Sequence, residues 1–401
     1  PIGLPGVNKA KKVSNANYLW LSYFYSYLNQ TGRAGVVMSS QASSAGRDEA
    51  KVRRKMVETG AVDVMIDVRG NFFYTRTVPC QLWFFDRAKE RDRERADRVL
   101  MLDARNIYRK VSRAIYDFSP EQQKNIAAIV WLYRGQADRF LKLVESYLAR
   151  AVAKGQATGE PLARFKDALG KLTDLVEPFA AVKRHPDPLA ETWEELTSAR
   201  AAVLADIAGF AVEVAARAAH WNEGGDNGDR NNAALHAARE GLHGMAQGCR
   251  DLTKQIDQAA KLAGRVIDIA VKELEARETE LWDNAEINKG RKEMLGARAA
   301  AVEALREARY FVRQADWLQE RFPEAKMRDV EGLVKLVDRS QIEAQDWSLT
   351  PGRYVGVAPE EEDENFDFEE ALRSIHMDLQ RLNEEAVELA ARIARNLTWL
   401  T

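Results

Sequence analysis

The chain has 401 residues, 46% hydrophobic and 30% charged, enough for two or three domains with packed cores, and its two cysteines, Cys80 and Cys249, show neither disulfide nor thiolate-metal spacing. No run approaches the roughly 18 apolar residues of a membrane span and no signal-peptide pattern opens the sequence, so a reducing cytoplasm is the expected compartment. The net charge of -2 is unevenly spread: residues 1–115 hold 21 Lys and Arg against 11 Asp and Glu, an excess of +10, which leaves -12 on the rest. A basic region joined to an acidic one suggests that the first faces a polyanion, of which nucleic acid is the obvious one.

In chain order, "NANYLWLSYFYSYLN" places Tyr18, Leu21, Phe24, Tyr25 and Leu28 at helical spacing, with Gly32 as the breaker. "GRAGVVMSS" reads as a short buried strand, "DEAKVRRKMVETG" as a helix with an acidic start and a glycine stop, and "VDVMIDV" as a second strand. The strands "CQLWFFD" and "VLMLDA" follow, separated by the solvated run "RAKERDRERADR". Strand, helix, strand is a βαβ signature and predicts a parallel sheet with a right-handed crossover. Four strands are few for a doubly wound domain, which has about six, so the expected fold is the second half of such an α/β domain.

From about Pro120 the spacing becomes helical, with segments near 121–154, 160–182, 188–221, 231–285, 288–321 and 324–343, separated by breakers such as "KGQATGEP" and "NEGGDNGDRNN". "DWSLTPGRYVGVAPEEEDEN" reads as a Pro, Gly and acid-rich linker. After it, Phe368, Leu372, Ile375, Leu379, Leu382, Ala386, Leu389 and Ile393 recur in alternating steps of four and three, a heptad seam. So narrow a seam suits another helix, either in the chain's own bundle or in a partner subunit, and the acidic linker would give it reach. The expected domains are 1–118, 119–345 and 346–401.

Several chemistries are excluded by pattern. The sequence has no GxxxxGK[ST], no GxGxxG after a strand, no HExxH and no GxSxG. His236 and His243 are seven apart, without an acid or thiolate at ligand spacing, so a plain structural role is expected and no metal. "DNGDRNN" fails the calcium-loop pattern at the acid, glycine and closing glutamate positions. What remains is the loop between two strands in "VDVMIDVRGNFFYTRTVPCQLWFFD", where Phe72, Phe73 and Tyr74 are flanked by Arg69 and Arg76. Rings that dense ordinarily anchor a core.

The stretches "NANYLWLSYFYSYLNQTGRAGVVMSS", "VRRKMVETGAVDVMIDVRGNFFYTRTVPCQLWFFD" and "LMLDARN" resemble the later part of the methyltransferase domain in modification subunits of type I restriction-modification systems. "SLTPGRYVG", with the acidic linker and a helix closing near "IARNLTWL", is similar to the end of the same subunits. The resemblance implies a DNA-methyltransferase that moves a methyl group from S-adenosylmethionine to adenine N6 of double-stranded DNA. Its implied partners are a specificity subunit, which reads the target, and a restriction subunit. It also implies that the nucleotide is rotated out of the duplex and that an aromatic at the start of this loop stacks on it. Counting back from "VPCQLWFF", that position is Phe73, with Phe72 or Tyr74 as the neighbours if the register slips by one. Arg69 and Arg76 are candidate phosphate contacts, Asn71 a loop-orienting residue, and Lys51, Arg53, Arg54 and Lys55 a basic helix face.

The family's glycine-rich cofactor turn and its [NDS]PP[YF] turn are missing from this sequence. "NANY", Asn15 to Tyr18, lacks both prolines and opens a helix, so it does not stand in for the second. The chain is accordingly expected to be the C-terminal part of a longer subunit, unable alone to bind the cofactor well or transfer methyl. The competing expectation is a non-catalytic helical scaffold or DNA-binding interaction module derived from such a subunit.

Overall fold

The computed structural model describes residues 16–73, 77–112, 115–182, 187–223 and 230–357. It opens with α1 (Ala16–Ser26), β1 (Arg33–Ser39), α2 (Arg47–Glu58), β2 (Val62–Val68), β3 (Cys80–Asp86) and β4 (Arg98–Asp103), so the four expected strands form, but β1 is not the buried strand expected, since only its Met38 is buried. A small hairpin follows, β5 (Arg109–Ser112) with β6 (Ile115–Asp117). Then come α3 (Pro120–Tyr133), α4 (Ala137–Ala157), α5 (Gly159–Ala180), α6 (Asp187–Glu223), α7 (Asn232–Lys272) and α8 (Asn284–Arg321), and finally β7 (Val334–Asp338) and α9 (Arg339–Ala344). The result is a mixed α/β fold with a small sheet and a mostly helical remainder. None of its described helices is long and apolar enough to cross a membrane.

The strand order is β1-β3-β2-β4-β7. β2 and β4 are parallel, β3 is antiparallel to both β1 and β2, and β7 is antiparallel to β4. The parallel sheet expected from the strand, helix, strand order is therefore a mixed one, with β2 and β4 as its parallel pair. β1 and β2 do run in the same sense, but the chain turns straight back after β2, and a short return makes β3 an antiparallel neighbour that fits between them. All seven residues of β2 are buried, which is why its sequence is almost continuously apolar.

Alternation along the strands feeds two cores. Val64, Ile66, Val68, Leu100 and Leu102 pack with Ile126, Ile129 and Leu132 of α3 and the helices beyond. Met65, Trp83, Phe85 and Met101 pack on the other face with Tyr18 and Leu21 of α1, Val52 and Met56 of α2, and Ile342 and Leu349. Each fully buried large apolar side chain contributes about 1.5–3 kcal/mol, so these faces dominate the stability of the sheet. On α1 only Tyr18, Leu21 and Tyr25 are buried. Phe24, expected on the apolar face, is on the open side with Trp20, Tyr23 and Tyr27.

Three expected helices and the expected linker need correction. The expected helix 121–154 is two helices, because Gly135 takes φ +71° and the amides of Gly135 and Gln136 turn back to Leu132 O and Trp131 O. The expected helix 231–285 stops at Lys272. The expected helix 324–343 is instead β7 followed by α9, capped by Asp338 with Gln341 in a reciprocal box. Lastly, 346–356 is not a free linker. Leu349 donates its amide to Ser43 O at 2.9 Å, Val355 O accepts from Gly332, and Ser348, Leu349 and Val355 are buried. The sheet is thus assembled from two stretches of chain, with the helices inserted between β6 and β7. The seam residues Phe368, Leu372, Ile375, Leu379, Leu382, Ala386, Leu389 and Ile393 lie outside the described residues.

Candidate functional site

β2 and β4 end side by side at one edge of the sheet, the carboxyl edge at which open α/β sheets hold their ligands. The chain leaves β2 there through Arg69, Gly70, Asn71, Phe72 and Phe73. Gly70 has no room for a side chain, since a Cβ would sit 2.6 Å from Thr77 O. Asn71 takes φ +62°, a left-handed turn that asparagine tolerates better than most residues. Its amide donates to Thr77 O at 3.2 Å and its carbonyl accepts from the Tyr116 amide at 3.1 Å.

This turn separates the two phenylalanines. Phe72 is half-buried against the core, its ring centroid 4.4 Å from that of Phe118. Phe73 meets Phe72 edge-on at 6.5 Å and is 38% exposed. Arg69 places its guanidinium carbon 4.0 Å from the ring centroids of both Tyr108 and Tyr116, close enough for cation-π attraction to each. Of the expected site residues, Arg69, Asn71 and Phe73 are therefore brought together. Tyr74 and Arg76 lie outside the described residues.

Arg53 must be removed from the expected DNA-binding face. It is 1% exposed, and its guanidinium donates to Trp347 O, to Asp346 O at 3.2 Å, to Ala45 O at 2.7 Å and to the Tyr18 hydroxyl at 2.7 Å. The physical reason is that Asp346 and Trp347 both take left-handed backbone angles, φ +53° and +58°, and the turn they form needs a donor for its carbonyls. Arg54 does face solvent, but it stacks 5.0 Å from the Trp347 ring and pairs with Glu58 at 2.7 Å. Lys51 and Lys55 are exposed on the same helix, Lys51 paired with Asp48 at 3.0 Å.

The carboxyl edge also carries Asp67, Asp103 and Arg105. Asp67 accepts from Gln81 Nε2 at 2.6 Å, and burial pushes its carboxyl above the usual range. Asp103 accepts from Arg105 Nε at 2.9 Å and 3.0 Å and from Arg105 Nη2 at 2.5 Å. Both acids are committed to internal partners, and a backbone hydrogen bond from Gly352 also reaches Asp67. Gly70 is filled by its own turn. These residues do not fit an S-adenosylmethionine site, which needs an open glycine turn and a free acid.

The expected histidine roles are structural. His236 Nε2 is 2.8 Å from Pro323 O, and His243 Nε2 is 3.0 Å from Asp316 Oδ1. No group of three metal-ligating side chains occurs among the described residues. The sequence reading missed Tyr108, Tyr116 and Phe118, the rings that hold the loop. The only local signal was the two-residue spacing of Tyr116 and Phe118 in "IYDF", since Tyr108 and Val111 are three apart and do not alternate.

Residues 7–149 match the family model described as N-6 DNA Methylase. The Type I restriction enzyme MjaIX methylase subunit of Methanocaldococcus jannaschii is 33% identical over 112 residues, which are 28% of this chain and 20% of that protein. The Type I restriction enzyme HindI methylase subunit of Haemophilus influenzae is 29% identical over 114 residues, 28% of this chain and 25% of that one. A crystal structure of the type I restriction-modification system methyltransferase subunit from Streptococcus thermophilus is 20% identical, covers 31% of this chain and 25% of its own, and superposes with a TM-score of 0.27. The chain thus spans a fifth to a quarter of the length of the curated relatives it matches.

Proposed function

We propose that this chain is part of a type I restriction-modification methyltransferase subunit, acting with S-adenosylmethionine on adenine N6 of double-stranded DNA; the match of residues 7–149 to the N-6 DNA Methylase model supports the reading. The observation that carries the reading is Phe73, a ring left open to solvent on a pinned turn at the carboxyl edge of the sheet.

An adenine inside a duplex cannot present its amino group to a methyl donor, so the nucleotide is rotated out at a cost of a few kcal/mol. A stacking ring returns about 1–3 kcal/mol. Phe73 supplies that ring in this proposal, and Phe72 does not, because its own ring is taken up by Phe118. Tyr74 is the neighbouring alternative. Arg76, with Lys51, Arg54 and Lys55, adds attraction to the phosphates.

S-adenosylmethionine, which supplies the methyl group, is held in this proposal by another part of the complete subunit. Two features support a sheet that continues beyond β1. Among the described residues β1 pairs on one side only, with β3, and α1 beside it shows Trp20, Tyr23 and Phe24 to solvent, with Tyr27 just past its end. Contiguous exposed rings on a soluble helix mark a surface made to be covered. On this reading the described sheet is the second half of a doubly wound methyltransferase domain.

The partners in this proposal are the specificity and restriction subunits of the same system, in the cytoplasm. In this proposal the heptad seam of the sequence from Phe368 to Ile393, outside the described residues, is what pairs with helices of the specificity subunit. Deleting residues 360–401 then abolishes assembly, and unchanged assembly defeats the docking role. For the chemistry, the test is methyl transfer by the complete complex. Phe73→Ala lowers turnover or base binding well below what Phe72→Ala does, and equal effects defeat the assignment.

A further inference from the structure

We propose that the β5–β6 hairpin is a brace for the aromatic turn, and that Arg69 is its positioning residue, acting through the Tyr108 and Tyr116 rings rather than on DNA phosphate. For its consequence the proposal rests on the base-stacking reading; its test does not.

Three contacts from nearby loop residues reach the hairpin and its flanks. Arg69 lies 4.0 Å from the rings of Tyr108 and Tyr116, Asn71 O accepts from the Tyr116 amide at 3.1 Å, and Phe72 packs 4.4 Å from Phe118. The hairpin has no core of its own to hold it. Every residue of β5 is exposed, and a lone two-stranded hairpin is marginal in water. It is closed by Arg109, which donates to Asp117 at 2.8 Å and 2.6 Å, and tied to α3 by Gln122 Nε2, which donates to Tyr108 O at 3.0 Å. Loop and hairpin therefore order each other, and Arg69 is the joint between them. The two tyrosines meet edge to face at 5.1 Å, so the guanidinium fills the corner made by both rings. Phe73 follows Phe72 directly and its own backbone takes part in a β-bridge, so the direction of its ring is set by that bridge together with these contacts. Loosening the joint lets the ring wander and lowers turnover on bound DNA with little change in the number of phosphates contacted.

The test is site-resolved amide hydrogen exchange on the full chain without DNA, paired with the salt dependence of DNA binding. Arg69→Met raises exchange at the Asn71 and Tyr116 amides at least tenfold and leaves Ile66 in β2 unchanged. Tyr116→Phe, which keeps the ring, exchanges like the native chain, and Tyr116→Leu like Arg69→Met. Unchanged exchange in Arg69→Met overturns the brace, as does a drop of about one in the slope of log affinity against log salt, the mark of a lost phosphate contact. Raised exchange throughout β2 also overturns it, because Arg69 would then support the whole domain. Loosening confined to the loop in a protein that flips no base upholds the brace and defeats only the base-stacking reading.

Discussion

The Phe72 ring centroid lies 4.4 Å from that of Phe118, while the next residue in the chain, Phe73, keeps 38% of its surface exposed. Adjacent and chemically identical side chains thus have opposite physical roles. Truncating a packed phenylalanine removes buried area and leaves a void. Phe72→Ala, half-buried rather than fully so, is expected to cost about 2–3 kcal/mol in denaturant unfolding, and Phe73→Ala less than about 0.5 kcal/mol. Equal losses in the two variants would contradict this division.

A second expectation concerns Arg53. Its four acceptors include the carbonyls of two residues held at left-handed angles. Arg53→Met orphans them in a buried place, and unfolding should become easier by about 3–5 kcal/mol. Arg54→Ala, on the solvent side of the same helix, should cost under about 1 kcal/mol. Salt-dependent DNA affinity of the folded fraction should fall with Arg54→Ala and stay unchanged with Arg53→Met. The reverse pattern would restore Arg53 to the binding face.

Lys89 gives a pH dependence of stability. It is fully buried, donates to Val62 O, and burial lowers its ammonium from 10.5 to about 8, against the opposing pull of Asp63. Between those two values the unfolded chain holds the proton and the folded chain does not, so stability rises with pH across that window. Below pH 8 both forms are charged and the penalty of burying the charge is constant. From pH 7 to pH 9 the native chain should gain about 1 kcal/mol relative to Lys89→Met, measured by urea unfolding at each pH. A flat difference would show that the ammonium stays charged in the fold.

What the sequence made legible follows from range. The first four strands were readable because each is a short apolar run bounded by breakers. β7 was not, because its buried residues Val334 and Val337 are three apart, which also suits a helix, and its pairing with β4 joins residues more than 230 positions distant. Arg53 was misread for a related reason. Local sequence shows a basic run, Arg53, Arg54 and Lys55, and only the return of Asp346 and Trp347 buries the first of them. The division of labour between Phe72 and Phe73 depends on Phe118, a residue beyond the next four strands, and periodicity carries no information about it.

The most direct measurement of the central claim uses 2-aminopurine in place of the target adenine, with the complete enzyme. Fluorescence rises when the base leaves the stack and is quenched again on an aromatic ring. The native enzyme should give a weak steady-state signal on binding, and Phe73→Ala a several-fold stronger one, because the extruded base has lost its ring. Identical signals from the native enzyme, Phe73→Ala and Phe72→Ala would contradict the account.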